Sequence, residues 1–441
     1  MTSRTVLIEG HNLTLDTGTG IATYARNLGS TVRDLGYQTE VVVGSRRPVN
    51  AKDPLLAEVS FYDARGGKVP PALRYLWLAR HAVFGSPFGL RPVSLRLSGA
   101  VMQPAGGRLS GFDRVHVVHE LADAARLHFY RHHKRAELRL ESPPHLFHAT
   151  HATPMHVRGV PNIYTIHDLV PLRIPFATLD DKKYFLRLVR LLAREADHIV
   201  TVSERSKADL VELIGIPESR ITNTYQSVHI PPELLAAAES DLANELDHFF
   251  QLEPGGYFLF VGAIEPKKNL TRLIDAYASS GSARPLVIVG APGWQYEHDL
   301  ERIADEQFLT YKFQDGVISP SRKVRRLQYL PFARLISLMR GARAVLFPSL
   351  YEGFGLPVLE AMLAGAPVLT SSTSSLPEVA GDAALLVDPN EVDAIAAGIR
   401  KLDSDDDLCK ELSRQGREQA KKFSPERYKE RIDALYKRIM G

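Results

Sequence analysis

Apolar and polar positions along this chain follow two periods, and the switch from one to the other marks out its elements. Short β-branched runs near residues 4–9, 39–43, 146–149, 162–167, 198–203 and 221–225 read as strands, and amphipathic stretches such as 20–35, 181–195 and 204–213 read as helices between them. The pattern begins again at Tyr257-Phe258-Leu259-Phe260-Val261 and continues through 286–290, 343–347, 367–370 and 384–387. Strands alternating with helices predict a doubly wound parallel sheet, and the repetition predicts two of them in an α/β chain. Pro231-Pro232 and the acid-rich segment 239–247 form the expected linker. Residues 1–240 are thus expected to build one domain and 245–424 a second, with a final helix, about 425–441, returning to the first. Ligands bind outside the C-terminal ends of strands in open α/β sheets, so two such sheets facing each other predict one shared cleft.

Composition narrows the function. A chain of 441 residues exceeds one ordinary core and suits two or three domains. Its 54 basic and 51 acidic residues nearly cancel, so no nucleic-acid partner is expected. Cys409 stands alone, which excludes an internal disulfide and a cysteine-based zinc site. The start, Met-Thr-Ser-Arg-Thr, runs directly into Val6-Leu7-Ile8 without a charged and apolar leader. No uninterrupted apolar run approaches the ~18 residues of a membrane span. A cytoplasmic enzyme is the expectation.

The densest chemistry lies in Ser349-Leu-Tyr-Glu-Gly-Phe-Gly-Leu-Pro-Val-Leu-Glu-Ala-Met-Leu-Ala-Gly365. The run Ala344-Val345-Leu346-Phe347 reads as a strand, Gly353 and Gly355 free the backbone for close approach, and Pro357 suits the first turn of a helix. Unpaired N–H groups at such a helix start attract a phosphate. Glu352 precedes the helix and Glu360 lies about one turn inside it, so they hold different jobs: Glu352 faces a sugar and Glu360 grips ribose hydroxyls. An isolated loop of this kind is equally an ordinary helix start with a first-turn acid. The second cluster follows the restarted strand, in Val261-Gly-Ala-Ile-Glu-Pro-Lys-Lys-Asn269. Asn269 is an expected N-cap, which sets Lys267 and Lys268 at the positive end of a helix dipole, a cost that an anion reverses. Alone, the pair also fits a solvated loop. The two clusters together imply a diphosphate gripped by two helix starts and by one or both lysines.

These residues resemble a known family. Glu352-Gly-Phe-Gly-Leu-Pro-Val-Leu-Glu360 is similar to the Glu-x7-Glu motif of the retaining GT-B glycosyltransferases of family four, especially their bacterial mannosyltransferase-like branch. The resemblance extends through Thr19-Gly20-Ile21 with Tyr24-Ala-Arg-Asn-Leu28, Thr165-Ile-His167-Asp168, Val202-Ser203-Glu-Arg-Ser-Lys207, Glu265-Pro-Lys-Lys-Asn269 and Ser375-Leu-Pro-Glu378-Val-Ala-Gly381. It implies the GT-B architecture, two doubly wound Rossmann-like domains facing across a cleft, the first for acceptor and the second for a nucleotide-sugar donor. It implies catalytic roles for Glu352, His167 and Lys268. Lys268 neutralises the leaving diphosphate, and His167 contacts the transferred sugar. Donor binding is carried over to Gly20, Lys267, Lys268, Tyr329, Leu330, Glu352, Gly353, Phe354, Gly355, Leu356 and Glu360. Two departures stand out: Lys267 replaces a usual arginine, and Ala263 occupies a position where many relatives carry another.

The resemblance further implies a front-face reaction without a resident cofactor or metal, and mannose from GDP-mannose as the leading donor, with UDP-hexoses and dTDP-rhamnose open. A glycan or lipid-linked glycan of a surface polysaccharide such as lipopolysaccharide is the expected acceptor. His148 and His151 are expected on the acceptor side, where they serve equally well as loop hydrogen-bonding residues. Residues 64–112 carry Arg65, Lys68, Arg74, Arg80, Arg91, Arg96 and Arg108, interleaved with Tyr75, Trp77, Phe84 and Phe88. Such a stretch suits an anionic membrane at the inner face, and equally a solvated basic insertion. A nucleotide-sugar epimerase and a catalytically silent sugar-nucleotide-binding partner are the alternative functions.

Overall fold

The computed structural model describes residues 4–14, 20–46, 49, 53–63, 76, 78, 89–95, 97, 101–102, 109, 111–314, 317–328 and 330–441. Two mainly parallel sheets carry these residues. The first runs in the order Ile221–Asn223, His198–Thr201, Asn162–Thr165, Leu146–Ala149, Thr5–Glu9, Gln38–Ser45, Arg114–His119 and Val93–Leu95, the last of these antiparallel at the edge. The second runs Val324–Leu327, Leu286–Val289, Phe258–Val261, Ala344–Phe347, Val368–Ser371 and Leu385–Val387. Central strands such as Phe258–Val261 and Ala344–Phe347 are buried along their whole length, which is why they read as unbroken apolar runs.

Each sheet has one place where the chain reverses its direction of winding. In the first sheet that place lies between Thr5–Glu9 and Leu146–Ala149, and in the second between Phe258–Val261 and Ala344–Phe347. The loops leaving these strands are where a doubly wound sheet opens a crevice.

Several elements depart from the sequence reading, and three of them show why. Arg114–His119 was not expected as a strand, because His116 and His119 interrupt its valines; His116 is buried there against Glu40, at 2.8 Å. Val324–Leu327, with Arg325 and Arg326 at its centre, is concealed by its own charge. The acid-rich stretch expected as a linker is the helix Glu239–Phe250. It buries Leu242 and Leu246, pairs Glu245 with Arg334 at 2.6 Å and Glu239 with Arg340 at 3.2 Å, and so docks on the second domain.

The final helix, Pro425–Met440, lies against the first domain. It buries Tyr428, Ile432, Leu435 and Tyr436. Tyr428 meets Tyr24 with ring centroids 6.4 Å apart, Tyr436 meets Tyr37 at 5.8 Å, and Lys429 donates to the Asp34 carbonyl at 2.8 Å. The chain therefore crosses between its domains twice.

Candidate active site between the two switch points

At the second switch point, Lys267 and Lys268 lie in a short 3-10 turn, Pro266–Lys268, after the strand Phe258–Val261. Asn269 does not cap the next helix as expected. Its φ is +63°, and its side-chain amide donates to the carbonyls of Pro348 at 3.0 Å and Pro389 at 2.7 Å. Asn269 therefore ties the lysine turn to the loop after Ala344–Phe347, and Leu350 N–H donates to the Lys267 carbonyl at 2.8 Å. The two clusters singled out in the sequence form one surface.

Lys268 Nζ lies 2.6 Å from Glu352 Oε1 and 4.9 Å from the centre of the Phe347 ring. Burial opposes the Glu352 charge, but Lys268 and Lys267 outweigh it and hold the carboxyl below its usual range. Burial likewise opposes the Lys267 charge, and Glu352, Asp168 and Glu265 outweigh it, so this ammonium is held above its usual range. The site brings two lysines against Glu352, Asp168 and Glu265, with the Glu352 carboxyl and the Lys267 ammonium both favoured in their charged forms. Beyond them the helix Leu356–Ala364 begins after Gly355, whose φ of +105° suits only glycine. Within that helix, burial lifts the Glu360 carboxyl to about 7.

The facing wall comes from the first domain. His167 follows the strand Asn162–Thr165, and its Nε2 donates to the Thr150 carbonyl at 2.8 Å while its ring meets Tyr24 edge-on at 4.9 Å. Burial lowers its pKa to about 4, so the imidazole is neutral at pH 7. With Nε2 donating to a carbonyl, Nδ1 is left as an acceptor. Gly20 opens the helix Gly20–Asp34, and a Cβ built on it would stand 3.6 Å from Leu356. The two walls thus meet at the start of the second domain's helix Leu356–Ala364.

Contacts between the domains hold these walls in place. Gly353 rests on the His167–Asp168 backbone: a Cβ there would stand 2.6 Å from the His167 carbonyl oxygen. Ser206 Oγ donates to that same oxygen at 2.7 Å and lies 3.4 Å from the Gly353 carbonyl. Glu378 accepts from the N–H groups of Glu204, at 2.7 Å, and Arg205, at 3.4 Å, which open the helix Glu204–Asp209. Tyr351 donates to buried Asp209.

The histidines expected on the acceptor side part company. His148 is fully buried, with Nδ1 2.8 Å from the Tyr436 hydroxyl and Nε2 3.0 Å from Thr165 Oγ1. Both ring nitrogens are occupied in the core, which corrects the expectation that it lines an acceptor. His151 is partly exposed and pairs at 2.9 Å with Glu9, a residue the sequence reading passed over. A lone carboxylate closing the apolar run Val6-Leu7-Ile8 was the available signal. Leu330 is half-buried against the hydrophobic core, whereas Tyr329 and Thr19 lie outside the described residues. Among the described residues, no group of three or more His, Cys, Asp or Glu is arranged to hold a metal ion.

Comparison with known proteins agrees with both halves. The family described as Glycosyltransferase Family 4 matches residues 18–229, and the family described as Glycosyl transferases group 1 matches residues 247–419. O-antigen chain mannosyltransferase B of Escherichia coli is 33% identical over 270 residues, covering 59% of this chain and 66% of that protein. O-antigen chain mannosyltransferase RfbU of Salmonella typhimurium is 27% identical over 239 residues, covering 54% of this chain and 60% of that protein. The chain thus spans less than two thirds of the length of these curated relatives. Among solved structures, sucrose-phosphate synthase from Thermosynechococcus elongatus superposes with a TM-score of 0.66 at 16% identity, covering 99% of this chain and 98% of that one. Anabaena Alr3699/HepE, solved with UDP and glucose, gives 0.65 at 16% identity, covering 98% and 99%. With a family four match on the first sheet, a group 1 match on the second and the sites of both at facing switch points, the chain belongs to the family four GT-B glycosyltransferases and is similar to their mannosyltransferase branch.

Proposed function

We propose that the protein is a retaining glycosyltransferase that moves mannose from GDP-mannose onto a glycan or lipid-linked glycan in surface polysaccharide assembly. The observation that carries this reading is the set Lys267, Lys268 and Glu352 at one switch point, facing a neutral His167 across the cleft. The lysines and the N–H groups at the start of Leu356–Ala364 suit a diphosphate whose negative charge grows as it leaves. Glu352 suits the hydroxyls of the sugar, and His167 Nδ1 accepts from another. Breaking the bond from the anomeric carbon to phosphate and forming the bond to the acceptor oxygen on the same face passes the acceptor proton to the leaving phosphate. No side-chain base is then needed. Two relatives are named as O-antigen mannosyltransferases, which supports mannose and this class of acceptor.

The test is a thermal-shift panel in EDTA with GDP, GDP-mannose, UDP-glucose and dTDP-rhamnose, followed by turnover under the same conditions. GDP and GDP-mannose are expected to stabilise the protein by about 2.7 kcal/mol at a hundredfold excess over Kd. Transfer is expected to survive EDTA, since the lysines take the place of a divalent ion. A response to UDP-sugars alone would reassign the donor, and no response to any nucleotide would sink the reading. Conversion of the donor sugar without acceptor would favour an epimerase.

We further propose that the first domain approaches an anionic membrane at its inner face. Among the described residues no helix is long and apolar enough to cross a membrane. The helix Pro54–Tyr62, however, exposes Leu55 by 54%, Leu56 by 51% and Val59 by 43%, just before the basic segment. Most of 64–112, including Arg65, Lys68, Arg74, Arg80, Arg96 and Arg108, lies outside the described residues. Charge reversal at Arg74 and Arg80 is expected to release the protein from phosphatidylglycerol vesicles in a sedimentation assay; unchanged binding would remove this surface.

A further inference from the structure

The donor machinery fills the second switch point, and the first switch point pairs His151, expected on the acceptor side, with Glu9, to which no role has been given. Glu9 ends the strand Thr5–Glu9 and is fully buried. Its Oε1 accepts from the His11 N–H at 2.6 Å, and its Oε2 accepts from Thr150 Oγ1 at 2.9 Å and pairs with His151 Nδ1 at 2.9 Å. A carboxylate removed from water is costly unless it is fully hydrogen-bonded, and here every partner is in place. This arrangement does more than satisfy a core. The Thr150 hydroxyl holds Glu9 while the Thr150 carbonyl holds His167, so one residue ties the ion pair to the wall that faces the donor.

His151 is the part of this set that a ligand can reach. Its side chain is 27% exposed, and Nδ1 is turned onto the buried carboxylate, which leaves Nε2 without a partner among the described residues. Two polar neighbours share the place. The His11 ring lies 6.2 Å from the His151 ring, with its own Nδ1 buried and unpartnered among the described residues, and Asn12 Nδ2 stands 3.5 Å from His151 Nδ1. His151 is thus the reachable end of a polar set, backed by the buried Glu9 carboxylate and flanked by His11 and Asn12, at the mouth of a parallel sheet.

Resting on the glycosyltransferase reading, we propose that His151 binds the acceptor, donating from Nε2 to an oxygen of a pyranose at the switch point of the first sheet, and that Glu9 is the positioning residue that fixes its ring and its proton. The electrostatics agree. Burial opposes the His151 charge, and Glu9 outweighs it and raises the imidazole pKa; burial opposes the Glu9 charge, and His151, His11 and Thr150 outweigh it. A neutral ring with its proton on Nδ1 would turn Nε2 from donor to acceptor, so losing the Glu9 charge reverses the polarity offered to the acceptor.

The experiment measures GDP-mannose transfer to octyl mannoside, octyl galactoside and octyl N-acetylglucosaminide by the wild type, Glu9→Gln and His151→Gln. Each variant is expected to raise the acceptor KM by about tenfold or more, the size of one lost hydrogen bond to a charged group, with kcat and the GDP-induced thermal shift close to wild type. Should buried Glu9→Gln fail to fold, the partly exposed His151→Gln carries the test. An unmoved acceptor KM in a folded variant, or a wild type that binds GDP yet takes none of the three pyranosides, overturns the assignment. A wild type that binds no donor at all overturns the glycosyltransferase reading instead.

Discussion

Lys268→Ala is expected to lower kcat/KM by about a thousandfold, the upper range for removing one preorganised charge from a developing anion. The ammonium is nearly buried, paired with Glu352 at 2.6 Å and seated over Phe347, so neither solvent nor a mobile neighbour can replace it. The same substitution leaves Glu352 buried beside Lys267 alone. Breaking such a pair from one side costs on the order of 3–5 kcal/mol, less whatever Lys267 compensates. Stability and catalysis are separable here. Lys268→Met combined with Glu352→Gln removes both charges, and is expected to recover the melting temperature lost by Lys268→Ala while activity stays absent. Steady-state kinetics beside calorimetry would decide, and a double variant that regained turnover would show that the pair serves folding alone.

Gly353→Ala is expected to reduce turnover by roughly a hundredfold, because a misplacement of about 1 Å between reacting parts suffices for that. The added Cβ would stand 2.6 Å from the His167 carbonyl oxygen and 3.2 Å from Asp168 Cβ. These contacts are with the backbone of His167 and the stem of Asp168, so no rotamer change relieves them; the domains must separate locally or the ligand loop must lift. Either movement carries Glu352 away from His167. Phe354, next in the chain, belongs to the buried core, so the overpacked contact is also expected to cost stability, about 1–3 kcal/mol. Solution scattering of the variant is expected to give a larger radius of gyration than the wild type. A compact, fully active Gly353→Ala would show that this contact does not set the closed geometry.

Much of the site was legible because its chemistry is local. Gly355, Pro357 and Glu360 occupy consecutive turns of one strand–loop–helix unit, and the periodicity that predicts the unit also places them. The lysine turn was found in the same way, although Asn269 turned out to serve as a tie between loops rather than a cap. What escaped was polar and internal. His116 in the strand Arg114–His119 is satisfied by Glu40, some seventy-six positions earlier, and Glu9 by Thr150 and His151, about 140 positions later. A residue whose partner is that distant looks, in sequence, like an exposed charge.

The sequence by itself determined two doubly wound halves, their order, the strand–loop–helix unit through 349–365 and the short lysine turn after the restarted strand, because hydrophobic period, glycine and proline placement and helix starts act over a few residues. Only the tertiary structure decided that both switch points face each other, that Gly353 lies on the His167 backbone, that His148 is core while His151 is open, and that Glu9 is paired. These outcomes depend on desolvation and close contact between segments far apart in the chain, and both arise only once the two sheets have packed.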